Sequence, residues 1–516
     1  MVRTQTGEVA LGTVALATAD VVAVARQDAA VTLTGEAVYA MARSRARVEA
    51  LAASPEPVYG VSTGFGSLAS IAIAPQDRPT LQLRLVRSHA AGIGQPVERE
   101  VVRAMMLLRA RTLARGYSGT RPAVAQALVG LLNAGLTPLV PEHGSLGCSG
   151  DLAPLSAVAL ALIGEGEVHD REGRVRPAGE ALAEAGQEPV VLQAKEGLAL
   201  LNGTDGMLGM LVLACADLRR LLATADVSAA MSIEALLGSD RPFAADLQAL
   251  RPHPGQAASA ANLRRLLAGS GMVGLRRAEE VRVQDAYSLR CAPQVTGAAR
   301  DTLSHAEAVA RRELDAVVDN PVVLGDGRVE STGHFHGAPL GFACDFLAIA
   351  AAEVGAIAER RMDRLLDAQR SRGLPPFLAD AAGVDSGLMI AQYTAVALVA
   401  ENRRLAAPAS VDSIPTSALQ EDHNAMGWAA ARKLRTVLAN LGRILAIELV
   451  VAARGLDLRA PLSPAPATAA VRDGLRDRVP GPGPDRHLAP ELAAAEELVA
   501  GGSLLALAAA VVGPLD

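Results

Sequence analysis

Aromatic residues are scarce in this chain of 516 residues: six phenylalanines, five tyrosines and one tryptophan make up only 2% of it. Half of the residues are nevertheless hydrophobic, which is enough for a sizeable core. That core must consist mainly of alanine, leucine and valine. Such a composition favours closely packed helices over a sheet rich in aromatic and β-branched residues. We therefore predict a mainly α-helical protein.

Cysteine is also rare, and the four cysteines, Cys148, Cys215, Cys291 and Cys344, are widely spaced without a CxxC pair. This spacing argues against a disulfide scaffold and a zinc finger. Scattered thiols are typical of a reducing compartment, so we expect a cytoplasmic protein. The histidine pair in GHFHG (333–337) has no third ligand at a customary spacing, so we expect no metal.

An excess of charge of either sign is missing as well. The formal net charge is −6, and the basic residues are interspersed with the acidic ones. We therefore expect neither a nucleic-acid partner nor a membrane-surface partner, and a small-molecule substrate is more plausible. No run approaches eighteen uninterrupted apolar residues, which predicts no membrane span. The N-terminus contains Glu8 and lacks a basic cluster, which argues against a signal peptide.

Helical spacing of apolar residues recurs along the chain. It predicts a helix over 32–53, a helix that ends at His89, two helices between 98 and 135, a helix over 299–314 and a final Ala-Leu helix after PGPGP. Three longer patterns, over 338–367, 386–404 and 425–454, suit a bundle of long helices. We divide the chain into an N-terminal part of mixed structure, 1–199, and a helical bundle, 200–516.

The stretch HGSLGCSGDLAPLS (143–156) has the residues of a strained, glycine-rich turn before an apolar helix that Asp151 and Pro154 would open. In such a turn the Gly150 nitrogen can attack the Cys148 carbonyl carbon. Loss of water from that ring, followed by loss of the Ser149 hydroxyl as a second water, would leave a strong electrophile made of peptide alone. Ser-Gly pairs also occur in ordinary surface turns, so the tripeptide by itself leaves both interpretations open.

The longer string GSLGCSGDLAPLS closely resembles the signature of the aromatic amino acid lyase family. Further strings with the same resemblance follow one order between Tyr59 and Gly427: YGVSTGFG (59–66), LQLRLVRSHAAGIG (81–94), EGLALLNGTDGM (196–207), QDAYSLRC (284–291), GHFHG (333–337) and QEDH (420–423). The resemblance implies the long-helix bundle of that family. It also implies a methylidene-imidazolone (MIO) group formed autocatalytically from Cys148, Ser149 and Gly150, with no dissociable cofactor.

The resemblance also assigns roles to individual residues. Tyr59 would be the base, and Arg290 would hold the substrate carboxylate. Other residues would orient the amine, the carboxylate and the MIO oxygen, or contact the substrate side chain: Asn202, Gln284, Tyr287, His89, Phe335, Gln420 and Glu421. Without the resemblance, Tyr59 would be interpreted as a tyrosine packed in a loop, and His89 as a histidine whose hydrogen bonds are made within the core or at a helix end. Asn202 would be interpreted as an ordinary turn residue.

The spacing of three residues predicts a site for the substrate carboxylate, and the resemblance predicts the assembly. Gln284, Tyr287 and Arg290 are spaced three apart, and on a helix they would lie on roughly one face, as a carboxylate-binding cluster needs. Family members build each active site from several subunits, so the resemblance implies a homotetramer with shared sites.

The expected reaction is non-oxidative elimination of ammonia from L-histidine to give trans-urocanate, a step of histidine degradation. Glu421 favours histidine because members that act on tyrosine or phenylalanine lack this glutamate, although it could also cap a helix. Two positions depart from the family pattern: His334 replaces an asparagine, and Ala157 replaces a common histidine. A lyase or 2,3-aminomutase acting on another aromatic amino acid is therefore the alternative. An inactive binding homologue is disfavoured because Tyr59, Ser149, Asn202 and Arg290 are all present.

Overall fold

The computed structural model describes residues 7–54, 57–275 and 283–516. Residues 1–6, which belong to the N-terminal segment on which the signal-peptide prediction rests, lie outside these ranges. The chain divides into two compact units. Unit 1 comprises Met1–Leu213, Glu307–Asp345 and Pro408–Arg432, and unit 2 comprises Ala214–Ala306, Phe346–Ala407 and Lys433–Asp516. These units are not continuous in sequence, so the division at residues 199 and 200 stays a prediction.

Helices dominate the described chain, as the composition predicts. The helices of the first two hundred residues are α1 (Thr18–Gln27), α2 (Gly35–Ala53), α3 (Arg78–His89), α4 (Arg99–Ala114), α5 (Pro122–Ala134), α6 (Leu152–Leu162), α7 (Ala178–Glu184) and α8 (Glu196–Leu201). The later helices are α9 (Asp205–Ala235), α10 (Ala245–Ala249), α11 (Pro254–Leu267), α12 (Tyr287–Arg290), α13 (Ala292–Asp315), α14 (Ala338–Leu366), α15 (Met389–Leu405), α16 (Gly427–Asp457), α17 (Pro466–Arg476), α18 (Ala489–Ala500) and α19 (Ser503–Val512).

The strands of the described chain are short. They are β1 (Val9–Leu11), β2 (Val31–Leu33), β3 (Ile93–Pro96), β4 (Thr137–Pro138), β5 (Pro141–His143), β6 (Glu167–His169), β7 (Val175–Pro177), β8 (Val322–Val323) and β9 (Val329–Glu330). β1 and β2 pair in parallel, with Val9 opposite Val31. The pairs β3–β5 and β8–β9 and the sheet β4–β6–β7 are antiparallel. The strands β1 to β7 lie in the N-terminal part, which was predicted to be mixed, whereas β8 and β9 lie later in the chain.

Most of the predicted helices are found close to their predicted positions. α3 ends at His89, and α5 begins at Pro122 and ends before Gly135, whose φ of +74° suits a left-handed C-terminal cap. The three longest patterns correspond to α14, α15 and α16. The single final helix is wrong, because Gly501 and Gly502 separate α18 from α19 and Gly502 has a φ of +73°.

A fully buried arginine connects several elements of unit 1. Arg109 on α4 donates to the carbonyls of Ala199 and Val318, at 3.1 and 2.9 Å, and its Nε lies 3.2 Å from a carboxylate oxygen of Asp205. These contacts hold the end of α8, the start of α9 and the 318–320 segment around one cation. Because an isolated buried charge is costly, this arrangement stabilises the loops between those elements only while all partners are in place.

Unit 2 has a buried polar cluster among helices. The guanidinium of Arg361 on α14 contacts the carboxylate of Glu448 on α16 at 2.5 and 2.9 Å, and both side chains are at most 1% exposed. Ser228 and Ser232 on α9 donate to the same carboxylate at 2.7 and 2.8 Å. α9, α14 and α16 therefore share a satisfied charge cluster inside an otherwise apolar bundle.

Three stretches within the described ranges are long and apolar enough to cross a membrane by length and composition alone: Glu196–Ala235, Ala338–Leu366 and Gly427–Asp457. A bent pair, Ala489–Ala500 with Ser503–Val512, is a further candidate. The most apolar windows of the three stretches are 100%, 67% and 83% buried within the chain itself, respectively. Burial against the rest of the chain explains their apolar character, and the absence of a membrane span stays a prediction.

Candidate active site

A cavity of about 490 Å³ in unit 1 collects residues from five of the resembling strings. Tyr59, His89, Ser149, Asn202 and Glu421 all line it. The remaining lining residues are Gly64, Phe65, Gly66, Ser67, Leu68, Ile71, Ile73, Leu81, Arg84, Leu85, Ser88, Leu152, Leu198, Leu201, Asn320 and Ser417. The fold thus brings together polar and ionisable side chains that are up to several hundred residues apart in sequence.

The Cys148-Ser149-Gly150 turn is tightly packed. Gly147 and Gly150 have φ values of +68° and +79°, which side-chain-bearing residues rarely adopt. A Cβ atom on Gly150 would lie 2.3 Å from the carbonyl oxygen of Gly203. The Asp151 amide donates to that same oxygen at 2.7 Å. The turn therefore presses against the loop between α8 and α9, and Ser149 is left facing the cavity.

Asp151 is completely buried beneath this turn. Its carboxylate accepts from the amides of Gly206 and Met207 at 2.9 and 3.0 Å and from the Ser145 hydroxyl at 2.9 Å. It occupies the N-cap position of α6, so it opens that helix as predicted, but its side chain makes no cap bond there. Its hydrogen bonds connect the turn to the N-terminus of α9, where backbone amides have no partner within the helix.

The Glu421 carboxylate also contacts the turn and accepts three hydrogen bonds. Ser149 Oγ donates to Oε1 at 3.0 Å, and Cys148 Sγ lies 3.3 Å from Oε2. Thr416 Oγ1 donates to Oε2 at 2.7 Å. This glutamate therefore contacts both side chains of the tripeptide and also faces the cavity.

The Tyr59 and Asn202 side chains also line the cavity. The Tyr59 hydroxyl accepts a long bond from the Gly66 amide, at 3.4 Å, and its ring meets Phe65 edge-on. Asn202 Nδ2 donates to the Asn320 carbonyl at 3.0 Å, whereas its Oδ1 is buried without a hydrogen-bond partner. An unpartnered buried acceptor beside a cavity suits a ligand donor such as an ammonium group.

One face of α3 lines the cavity with Leu81, Arg84, Leu85, Ser88 and His89. Burial lowers the pKa of His89, while a backbone hydrogen bond at Leu85 and the charge of Glu421 oppose that effect. Sequence reasoning missed Arg84, although its helical spacing from Ser88 could have found it. It also missed Asn320 and Thr416, which are recognisable only from the contacts that they make.

The sequence model of the aromatic amino acid lyase family matches residues 16–477. The chain belongs to this family. The histidine ammonia-lyase of Streptomyces avermitilis is 63% identical over 508 residues, which cover 98% of this chain and 99% of that protein. The fold is also similar to that of a tyrosine aminomutase from Streptomyces globisporus, with a TM-score of 0.93, 39% identity and coverage of 99% of this chain and 100% of that one. The histidine ammonia-lyase of Trypanosoma cruzi has a TM-score of 0.90 and 38% identity. That match covers 98% of this chain and 96% of the other.

Family membership allows a direct test of whether these residues fit an MIO group. Both glycines of the GCSG segment have left-handed conformations, and Ser149 faces the cavity. Asn202 places an unpartnered acceptor in the same cavity. The backbone of the turn and its surroundings therefore fit a group made from the tripeptide.

Three further residues that the sequence predicts for the site lie elsewhere in the chain. Gln284, Tyr287 and Arg290 belong to unit 2, and the described lining of the unit 1 cavity does not include them. Gln284 and Arg290 instead line a separate cavity of about 290 Å³. Arg290 Nε donates to the Asp285 carbonyl at 2.9 Å, and its guanidinium lies 4.7 Å from the centre of the Tyr287 ring.

The predicted helical face for these three residues is wrong. The helix begins only at Tyr287, because Ala286 is extended, with φ of −63° and ψ of 157°. The Asp285 carboxylate accepts from the Ser239 amide at 2.7 Å, which holds the chain before the helix. Gln284 therefore precedes the helix rather than sharing a face with it.

Phe335 and Gln420 also lie outside the described lining of the cavity. Phe335 is half-buried and Gln420 is exposed. The two residues that depart from the family pattern, His334 and Ala157, also lie outside the described lining of this cavity. His334 is exposed beside a second unit 1 cavity that includes Glu313, whereas Ala157 is half-buried on α6. The roles of Phe335 and Gln420 stay predictions. Within the described residues, no group of three or more His, Cys, Asp or Glu side chains could hold a metal ion.

We expect the Cys148 thiol to take no part in catalysis. Burial, with the charge of Glu421, raises its pKa to about 12, so the thiol stays protonated and poorly reactive at neutral pH. We expect Cys148→Ala to keep activity within a few-fold of wild type, because only backbone atoms of this residue enter the ring. Steady-state kinetics check this, with Cys291→Ala as the control. A loss of a hundredfold or more would show that the thiol has a chemical role.

We expect Asp151 to make the free energy of unfolding depend on pH. Burial raises its pKa to about 7, although hydrogen bonds from Met207, Ser145 and Gly206 oppose this. The folded chain then binds this proton more tightly than the unfolded chain, so the group's contribution to the free energy of unfolding falls as pH rises from about 4 to about 7. Asp151→Asn should remove a pH dependence of roughly 4 kcal/mol at most.

Denaturant unfolding of wild type and Asp151→Asn at several pH values checks this. Asp422→Asn, at an exposed position, is the control and should reproduce the wild-type profile. Parallel profiles for wild type and Asp151→Asn between pH 4 and 7 would contradict the expectation.

Proposed function

We propose that this chain eliminates ammonia non-oxidatively from L-histidine and releases trans-urocanate. The observation that carries this proposal is the 63% identity to a histidine ammonia-lyase over almost the entire length of both chains. The cavity supports it independently, because His89 and Glu421 supply polar partners for an imidazole.

The difficult part of the reaction is removal of an unactivated β proton while an amine leaves. The MIO group, once formed from Cys148, Ser149 and Gly150, supplies an electrophile toward the substrate amine. Tyr59 would take the β proton, and Asn202 Oδ1 would accept from the substrate ammonium. Glu421 and His89 would hold the imidazole ring and so fix the position of the β carbon relative to the Tyr59 hydroxyl.

We further propose a homotetramer whose active sites are shared between subunits. The support is that Gln284, Tyr287 and Arg290 lie outside the described lining of the cavity, while an amino acid carboxylate needs a bidentate partner such as Arg290. Phe335 and Gln420 would complete the site in the assembly. We also infer a cytoplasmic location, since the four cysteines, all within the described residues, form no disulfide.

Subunit mixing tests the shared site. Ser149→Ala and Arg290→Ala chains should each be inactive alone, and hybrids refolded together should regain part of the activity if the two residues come from different subunits. Ser149→Ala mixed with Asn202→Ala is the matched control, because both residues line one cavity of one chain. A monomer by light scattering, or no recovery in the first mixture, would contradict the proposal.

The second candidate is a 2,3-aminomutase, favoured by the TM-score of 0.93 to a tyrosine aminomutase and by the unusual His334. Incubation with L-histidine separates the two. Urocanate, followed by its ultraviolet absorbance, supports the lyase, and β-histidine supports the mutase. Products from tyrosine or phenylalanine alone would overturn the use of Glu421 as an imidazole partner. An unmodified intact mass, with no reaction, would support an inactive homologue.

The proton-removing role of Tyr59 is tested by Tyr59→Phe. The ring and its contact with Phe65 remain, whereas the hydroxyl is lost. We expect kcat to fall by about 10²-fold with little change in KM, as for loss of a general base. Tyr39→Phe, at a 70% exposed position, is the control and should be neutral. Equal kcat for Tyr59→Phe and wild type would assign the base to another residue.

A further inference from the structure

The orientation of the Asn202 amide is set by the Asn320 carbonyl. Asn202 Nδ2 donates to that carbonyl at 3.0 Å, and a carbonyl oxygen can only accept. Asn202 Oδ1 is therefore turned away from it, and Oδ1 is buried without a partner. Both residues line the cavity. The position of the Asn320 carbonyl thus decides where Asn202 presents the acceptor that the proposed reaction assigns to the substrate ammonium.

A completely buried ion pair holds the residue that precedes this carbonyl. Lys195 Nζ lies 2.8 Å from Asp319 Oδ2, and both side chains are 0% exposed. Asp319 Oδ1 accepts from the Asn320 amide at 2.7 Å. One carboxylate therefore connects the Lys195 ammonium group to the backbone of Asn320.

Thr332 contacts the same two residues. Its hydroxyl donates to the Asp319 carbonyl at 2.9 Å, and its amide donates to Asn320 Oδ1, also at 2.9 Å. The backbone of Asp319 and the side chain of Asn320 are thus held by Thr332, while the Asp319 side chain is held by Lys195. Together these contacts fix the Asn320 carbonyl to which Asn202 donates.

Lys195 and Asn202 lie at the two ends of the short helix α8. Lys195 is its N-cap residue and Asn202 its C-cap residue. Lys195 has a φ of +69°, a left-handed conformation that side-chain-bearing residues rarely adopt, so contacts such as the ion pair must offset the strain. The ion pair attaches the start of α8 to residues 319–320, and the Asn202–Asn320 hydrogen bond attaches its end to the same residues.

We propose that Lys195 and Asp319 are positioning residues for the substrate ammonium. Neither belongs to the described lining of the cavity, so they act through the Asn320 carbonyl, which in turn orients Asn202 Oδ1. Without the pair, the start of α8 is no longer held against residues 319–320, and Oδ1 is less well placed. This inference rests on the proposed function, because that function assigns the ammonium to Asn202.

Two ligands that differ in one group test the inference by binding alone. L-Histidine carries the ammonium, whereas imidazole propionate has the imidazole and the carboxylate without it. The full-length Ser149→Ala chain, which should not turn L-histidine over, is the background for isothermal titration calorimetry. Adding Lys195→Met and Asp319→Asn together should raise the Kd for L-histidine about 10-fold or more, because the ammonium loses a well-placed acceptor. The Kd for imidazole propionate should be unchanged.

Both charges of the pair are removed together because either one alone would stay buried without compensation. Arg109 separately joins α8 to residue 318, so this double variant should stay folded, which circular dichroism verifies. The matched control is Arg26→Met with Glu100→Gln in the same background. That half-buried pair of unit 1, 2.6 Å apart, lies outside the described cavity lining, and its removal should leave both Kd values unchanged.

Thr332→Val is a milder variant that removes the hydroxyl bonded to the Asp319 carbonyl. It should weaken L-histidine binding by a smaller factor and leave imidazole propionate binding unchanged. Equal weakening of both ligands in the folded double variant, or no weakening of either, overturns the inference. So does normal L-histidine binding by Thr332→Val if the double variant does not fold. A background chain that does not bind L-histidine, or a wild type that forms no urocanate, would instead refute the proposed function.

Discussion

Replacing Ser149 with alanine should abolish turnover while leaving the fold intact. Alanine has no hydroxyl to lose, so the exocyclic double bond cannot form and the electrophile toward the substrate amine is missing. Loss of a residue that supplies covalent catalysis removes most of an enzyme's acceleration, and we expect kcat to fall by roughly 10³-fold or more. Urocanate formation and intact mass measured on the same preparation check this.

A serine in the neighbouring loop provides the control. Ser70 is exposed, and it is not part of the cavity lining, so Ser70→Ala should match wild type in activity and in its two-water loss. Circular dichroism should be unchanged for both variants, because Ser149 is only half-buried. Full activity in Ser149→Ala would rule out the electrophile and most of the proposed residue roles.

Removing the buried charge partner in unit 2 should have the largest effect on stability. In Glu448→Gln the Arg361 guanidinium stays buried but loses its counter-charge, and Ser228 and Ser232 lose part of their acceptor. Breaking a buried pair on one side costs about 3–5 kcal/mol, because an uncompensated charge remains inside. Denaturant unfolding followed by circular dichroism measures the difference.

An exposed ion pair of the same unit is the matched control. Arg443 and Glu496 lie 3.0 Å apart, with side chains 45% and 42% exposed. Glu496→Gln should therefore change the free energy of unfolding by less than about 1 kcal/mol. If Glu448→Gln costs no more than Glu496→Gln, the buried cluster does not stabilise the bundle in the way described.

Local patterns predicted local structure well. The end of α3 at His89, the start of α5 at Pro122 and its end at Gly135 follow from capping residues next to apolar periodicity. These features depend on neighbouring residues alone, so a sequence contains them. Gly501 and Gly502 show the limit, since a glycine pair can be tolerated inside a helix or can end it, and here it separates α18 from α19.

Side-chain partners were much less predictable. Asp151 opens α6 as predicted, but its carboxylate bonds to the start of α9, which the sequence did not indicate. Gln284 was expected on the helix that begins only at Tyr287. In both cases the outcome depends on a segment that packs there from elsewhere in the chain, which no local pattern specifies.

By itself, then, the sequence determined the helical class and the family, and it predicted which tripeptide forms the MIO group. Those follow from composition, periodicity and an ordered set of short strings. Only the tertiary structure decided that Glu421 contacts Ser149, that Asn202 Oδ1 has no partner and that Arg84 lines the same cavity. The physical reason is that contacts between distant segments depend on how the helices pack, and the packing is set by the whole core rather than by the residues that meet.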